Sequence, residues 1–313
     1  MNAGQTNLEE ISNGFHCNLS ENIVASDKIF KTFQYLKYEK KLTETWKIFT
    51  ENSIEILVIK GWAAAANYPE PWNRPLGDID FAVKPEDYPR ALEIKESFNL
   101  SIVDLHCGLR SLDTVNWDEL YERAESVQCM ESAIFVLSSE DHLRVLCNHW
   151  LIDGGINREK LWDIYFAVAI RPKNFDWEKC LGAVSSTRQK WIIYTIGLAH
   201  KYLALDIEDI PFKQEAKNIP AWLIKTLEKE WESNVKFQYL DSCLDDPLQF
   251  FHQLKKRFPP NSIQATIMSE GEFDDKSRFP FQVRYLWQRT VPTICRLVQT
   301  IFQKYMKKHT NTK

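Results

Sequence analysis

From Asp27 to Glu51 apolar residues recur at helical spacing, through Ile29, Phe30, Phe33 and Leu36 and then Leu42, Trp46, Ile48 and Phe49, and predict a helix. Residues 1–26 are rich in Asn, Ser and Glu with weak periodicity; they read as a loose start or a short helix. Ile54 to Ile59 is short and β-branched, as in a buried strand. Gly61 follows, then an Ala-rich helical stretch from Trp62 to Asn67, and Pro69, Pro71 and Pro75 make 68–76 a loop. Asp78 to Val83 reads as a second strand. Pro85 opens an amphipathic helix to Phe98, and Ser101 to Leu105 is a third strand. A polar, acidic loop separates it from a further strand at Ser132 to Leu137.

The pattern changes at Ser138. Ser138-Ser139-Glu140-Asp141 reads as a helix cap with acids in the first turn, and Leu143, Leu146, Trp150 and Leu151 continue at helical spacing. Further helices are predicted at 158–170, 176–204, 220–235, 246–256 and 281–306, with Pro292 marking a kink or a break in the last. The pattern predicts an α+β chain: an N-terminal extension (1–26), a small mixed-sheet domain (27–137), a helical domain (138–280) suited to form a cleft wall and select an acceptor, and a basic C-terminal helix (281–313).

Composition narrows the class. The 313 residues are 44% hydrophobic and 26% charged, as in a soluble globular protein. A net charge of −4 argues against a general nucleic-acid binder. Residues 281–313 depart from that balance: Arg284, Arg289, Arg296, Lys304, Lys307, Lys308 and Lys313 meet no acid. Such a segment either complements its own helix dipole or touches RNA, an anionic membrane surface or an acidic partner. Seven scattered cysteines without a C-x-x-C pair, no signal-like start and no apolar run of transmembrane length lead us to expect a cytoplasmic protein with reduced thiols.

The densest chemistry lies in Arg74-Pro-Leu-Gly77-Asp78-Ile-Asp80-Phe-Ala-Val. Residues two apart on a strand share a face, so Asp78 and Asp80 would stand side by side. Two adjacent carboxylates repel unless a cation sits between them, and hard Mg²⁺ takes carboxylate and phosphate oxygens together. Asp104, in Val-Asp-Leu-His, can join them if its strand pairs beside theirs. His106 shares Asp104's face and could touch substrate, position Asp104 or be merely buried. Upstream, Lys60 and Gly61 close a strand and open a helix, where backbone N–H groups approach phosphate closely. Lys60 and Arg74 are placed in sequence to neutralise a triphosphate. His142 and His149 lie seven apart on one predicted helical face. They are candidates for a cleft wall and, on the plainer view, satisfied structural histidines.

The series of strand, Lys-Gly, Ala-rich helix, Pro-rich loop, Arg-Pro-x-Gly-Asp-Ile-Asp-Phe-x-Val and Asp-Leu-His resembles the bacterial "uncharacterised nucleotidyltransferase" family of the DNA polymerase beta-like superfamily. The likeness covers about residues 54–170, including Ser139-Glu140-Asp141-His142-Leu143 and Leu161-Trp162-Asp163-Ile164. It implies a polymerase beta-like core with a helical domain. It also implies transfer of NMP from an NTP, ATP first among them, with Mg²⁺ or Mn²⁺ held by Asp78, Asp80 and Asp104. Lys60, Gly61, Arg74 and Gly77 would bind the nucleotide. The acceptor would be a saccharide, a peptide or another small molecule rather than nucleic acid. One departure stands out: where the superfamily has Gly-Ser, this chain has Gly61-Trp62, with no hydroxyl for a phosphate. A non-catalytic nucleotide-binding module acting through a partner is the alternative, and a membrane-surface adaptor using 281–306 is a third.

Overall fold

The computed structural model describes residues 6–109, 115–233, 238 and 240–310, and side chains from Ser26 on except within parts of the last helix. It divides into two compact units, one made of 1–110 and 116–138 and the other of 139–313 with the short 111–115 segment. Elements are mixed α and β, with a single five-stranded sheet among the described residues.

In the first unit, α1 (Thr6–Glu51) leads to β1 (Ile56–Val58), the single-turn α2 (Trp62–Ala65), β2 (Ile79–Val83), α3 (Tyr88–Ser97), β3 (Val103–Cys107), α4 (Trp117–Glu122), β4 (Glu125–Cys129) and β5 (Ser132–Val136). The strand order is β3-β2-β1-β5-β4. β1 runs antiparallel to β2 and parallel to β5, β2 and β3 are parallel, and β4 closes the edge antiparallel to β5. All five residues of β2 are buried. Alternation then sorts its faces: Phe81 meets Trp46 and Phe49 of α1 edge to face, with ring centroids 6.1 and 5.7 Å away. Asp80 points to the opposite face.

Several elements differ from the sequence expectation. α1 begins at Thr6, well before Asp27, so residues 6–26 belong to the helix; residues 1–5 lie outside the described part. Among its described side chains, the core positions lie toward its C-terminal end. Leu42, Trp46 and Phe49 are buried, whereas Ile29, Phe30, Phe33 and Leu36 continue the same periodicity in the open. The Ala-rich stretch makes one turn rather than a helix to Asn67. β3 starts two residues late, and the polar loop before Ser132 contains α4 and β4. Asn116 caps α4 by accepting the Glu119 N–H at 2.9 Å.

The regular elements described in the second unit are helices joined by turns and loops: α5 (Ser139–Ile152), α6 (Leu161–Ala169), α7 (Trp177–Gly182), α8 (Ser186–Leu203), α9 (Lys213–Lys217), α10 (Ala221–Trp231), a 3-10 turn at Asp241–Cys243, α11 (Pro247–Lys256), α12 (Ser262–Met268) and α13 (Phe279–Thr310). α13 runs through Pro292 unbroken. Glu140 and Asp141 stand in the first turn of α5, as the sequence predicts, and both are buried. Asp141 pairs with Arg144, whose Nη1 donates to the carbonyls of Lys179 and Cys180 and so ties α5 to α7. Asp163 is buried. α8 meets α9 at Gly197, where a Cβ would lie 1.9 Å from the Ala216 carbonyl oxygen, so no other residue fits without parting the helices. Among the described residues no helix is long and apolar enough to cross a membrane.

Candidate functional site

The parallel pairing of β2 and β3 sets Asp80 directly opposite Asp104. His106, two residues on, shares their face. One ligand atom from each of these three residues lies within 4.8 Å of the other two, the one such grouping of metal-ligating side chains among the described residues. His106 Nε2 spans the pair, 3.1 Å from Asp80 Oδ1 and 3.2 Å from Asp104 Oδ2. The cluster is graded in depth: Asp80 is buried, His106 half-buried and Asp104 exposed.

A fourth group arrives from β1. The Ile59 N–H donates to the Asp80 carbonyl at 3.3 Å, which carries the chain end of β1 alongside β2. Lys60 is thereby buried, with Nζ 2.7 Å from the same Asp80 oxygen that faces His106. Burial pushes the Asp80 carboxyl up. The hydrogen bond with His106 and the charge and hydrogen bond of Lys60 outweigh that push and hold it at about 2. Asp80 is therefore a carboxylate at any physiological pH. Two carboxylates, Asp80 and Asp104, and one ammonium, Lys60, sum to one negative charge with His106 left out of the count.

Gly61 has φ near +55°, a conformation that disfavours side chains, and its missing Cβ would sit 3.7 Å from Asp80 Oδ2 and 3.8 Å from the Asp78 carbonyl. The glycine keeps the backbone open beside the carboxylates. The turn it starts is only Trp62–Ala65, so little helix dipole backs it. Asp78 precedes the first residue of β2 and is exposed. Its backbone is anchored, its carbonyl accepting from the Tyr38 hydroxyl at 2.7 Å, but it stands outside the three-residue cluster.

Arg74 and Gly77 are not in the cluster but border it through Tyr38, whose hydroxyl meets the Asp78 carbonyl. They line a groove of about 810 Å³ between α1 and the 72–77 segment, together with Lys37, Tyr38, Lys40 and Trp72. Gly77 is open, with nothing within 4 Å of where a Cβ would stand. The lysines and aromatics of this groove were missed in the sequence because α1 was read through its apolar positions alone. Lys37, Lys40 and Lys41 beside Tyr38 were the available signal. His142 and His149 sit on α5 in the second unit. His142 is buried, and His149 Nε2 is 3.5 Å from Asp153 Oδ2, which also takes Lys160 Nζ at 3.1 Å. That is a local ion-pair network along α5.

No curated protein and no solved structure matches the chain. Residues 31–98, from α1 through α3 and less than half of the chain, match the model of a family described as "Uncharacterised nucleotidyltransferase". Asp104 and His106 fall beyond that stretch, so their place at the site rests on strand register. Over the residues that carry Lys60, Gly61, Asp78 and Asp80, the chain is similar to this nucleotidyltransferase family.

Proposed function

We propose that the protein transfers a nucleoside monophosphate from an NTP, ATP first, to a saccharide, peptide or other small acceptor and releases pyrophosphate, with Mg²⁺ or Mn²⁺ as cofactor. The observation that carries this is the register that sets Asp80 opposite Asp104 with His106 beside them. The donor set fits a divalent ion: two carboxylates and an imidazole converge, one carboxylate needs no deprotonation, and the imidazole suits Mn²⁺ better than Mg²⁺. Asp78, Asp80 and Asp104 would hold the ion, with His106 as a further ligand. When bound, it would neutralise phosphate charge and orient the attacking oxygen.

The chain's own groups supply the rest. An acceptor oxygen attacks the α-phosphorus, the bond from that phosphorus to the bridging oxygen breaks, and pyrophosphate leaves with its electron pair. Asp104, exposed at the mouth, can take the acceptor proton, and His106 can relay it. Lys60 has two anionic partners within its reach, Asp80 and the phosphates of an NTP laid over Gly61. It can therefore take the phosphate role of the hydroxyl that Trp62 does not provide. The same Lys60–Asp80 bridge favours one other function, a non-catalytic nucleotide-binding module in which the lysine substitutes for a cation.

Transfer of α-³²P label from each NTP, with pyrophosphate release, separates the two. With divalent ion and a lysate-derived acceptor mixture, the wild type should transfer label. Asp80→Asn and Asp104→Asn should each lose at least about 100-fold, the scale seen even for groups that merely support a metal. NTP binding without label or pyrophosphate release would establish the module instead, and neither binding nor label would overturn both.

A further inference from the structure

The last helix presents a face that nothing in the second unit covers. Tyr285 is buried against that unit. On the opposite side of α13, Phe279, Val283, Trp287, Ile294 and Val298 are exposed at positions that fall on one helical stripe, with Trp287 at 81%. A monomeric soluble protein rarely leaves a run of this kind in water. Leu286 and Ile294 also form one wall of a groove of about 610 Å³ whose other wall includes Leu254 of α11 and Phe258 just after it, both exposed. Ile294 belongs to both the stripe and the groove.

Its charge is one-sided. After Asp275 the chain contains no Asp or Glu, while Arg284, Arg289, Arg296, Lys304, Lys307 and Lys308 are spread along the helix. The last three side chains, and that of Arg296, lie outside the described residues, as does Lys313. Arg284 and Arg289 are exposed and have no acidic partner among the described residues. The groove itself is mixed in charge, bordered by Lys256, Arg257 and Arg289 but also by Asp153 and by Glu230, which pairs with Lys256, so the excess of cations is carried by the helix.

We propose that α13 lies in the plane of an anionic membrane surface, with its apolar stripe among the acyl chains and its cations on the lipid phosphates. An exposed Trp in an apolar stripe flanked by Arg and Lys is the composition that settles at the water–lipid boundary. The helix is not apolar enough to cross, so burial of one face is the arrangement open to it. Charge decides between occupants. A second copy docked on this face would bring an equally acid-free helix against the first, and like charges across an interface disfavour it. An anionic lipid surface complements the helix along its whole length.

The test is vesicle sedimentation of the full chain. Phosphatidylcholine vesicles with about 30% phosphatidylglycerol should pellet the protein, neutral vesicles should not, and added salt should weaken the binding. The double change Trp287→Asp/Val298→Asp should cut the bound fraction about 10-fold. Both positions are exposed, so the thermal transition should not move, which separates lost binding from lost folding. Arg284→Glu/Arg289→Glu should remove the preference for anionic vesicles. Equal binding to neutral vesicles, no binding to either, or binding that both variants retain would overturn the proposal. A dimer that Trp287→Asp dissociates would assign the face to a second copy of the chain.

Discussion

Each unit holds a buried carboxylate against a buried cation, and the two pairs have opposite uses. Asp141 and Arg144 are sealed, and the arginine also holds two carbonyls of the neighbouring helix. Asp80 and Lys60 are almost as deep, but they open through His106 to the exposed Asp104. The cluster has a second carboxylate, Asp104, and that one faces solvent. The same chemical ingredients thus make a strut in one unit and a receptive centre in the other. What separates them is a graded path to water and one carboxylate too many.

The largest expected effect strikes the strut. Arg144→Met should destabilise the protein by about 3–5 kcal/mol in denaturant titration, because it strands a buried Asp141 carboxylate. Asp141→Leu/Arg144→Met should recover most of that loss, since a matched apolar pair is often as stable as a buried ion pair. If the single change is harmless, the pair is not the strut described here.

The open pair should show itself through acid. The carboxyl of Asp80 lies lower in the folded protein than in the unfolded chain, at about 2 against an ordinary 3.8. It therefore contributes stability that is fully present above the ordinary carboxylate range and is lost as pH falls toward 2. In metal-free buffer the contribution should be about 2 kcal/mol, and Asp80→Asn should flatten that part of the acid limb. An unchanged acid limb would mean that Lys60 and His106 do not hold the carboxylate.

Thiols give the smallest effect, one that leaves stability untouched. Of the five cysteines whose side chains are described, Cys107, exposed at the end of β3, should be alkylated first at pH 8, with no shift in the thermal transition. Burial pushes the Cys129 thiol up to about 11 and the Cys180 thiol up to about 12, so both should stay unmodified in the native state. Site-resolved mass spectrometry reads the difference. Early labelling of Cys180 would show that the second unit opens more easily than its sealed pair suggests.

How much of this was legible in the sequence follows from what kind of force shapes each part. β2 announces itself because all its positions are buried, and burial writes a continuous apolar run broken only by Asp80. β4 does not: Glu125-Ser-Val-Gln-Cys129 is an edge strand held by backbone pairing to β5, and hydrogen bonds to a backbone leave no signature in side chains. The common face of Asp104 and His106 was legible from their spacing of two. The Lys60–Asp80 contact was not, because it joins the ends of two strands whose pairing no local pattern specifies. The apolar half of α1 misled in the reverse sense. Its periodicity is that of a buried face, yet Ile29, Phe30 and Phe33 are exposed. Periodicity reports that a face is apolar and is silent on what meets it.

The ladder between β2 and β3 carries a consequence of its own. Faces alternate residue by residue, so a shift of a single rung would turn Asp104 and His106 toward α1 and bring Val103 or Leu105 opposite Asp80. Such an isomer would keep every residue, nearly every helix and the same molecular weight, and a far-ultraviolet spectrum would hardly notice it. The centre is thus a property of alignment more than of composition. An insertion in the α3–β3 connection, which could be absorbed without moving the ladder, should be far less damaging than one inside either strand.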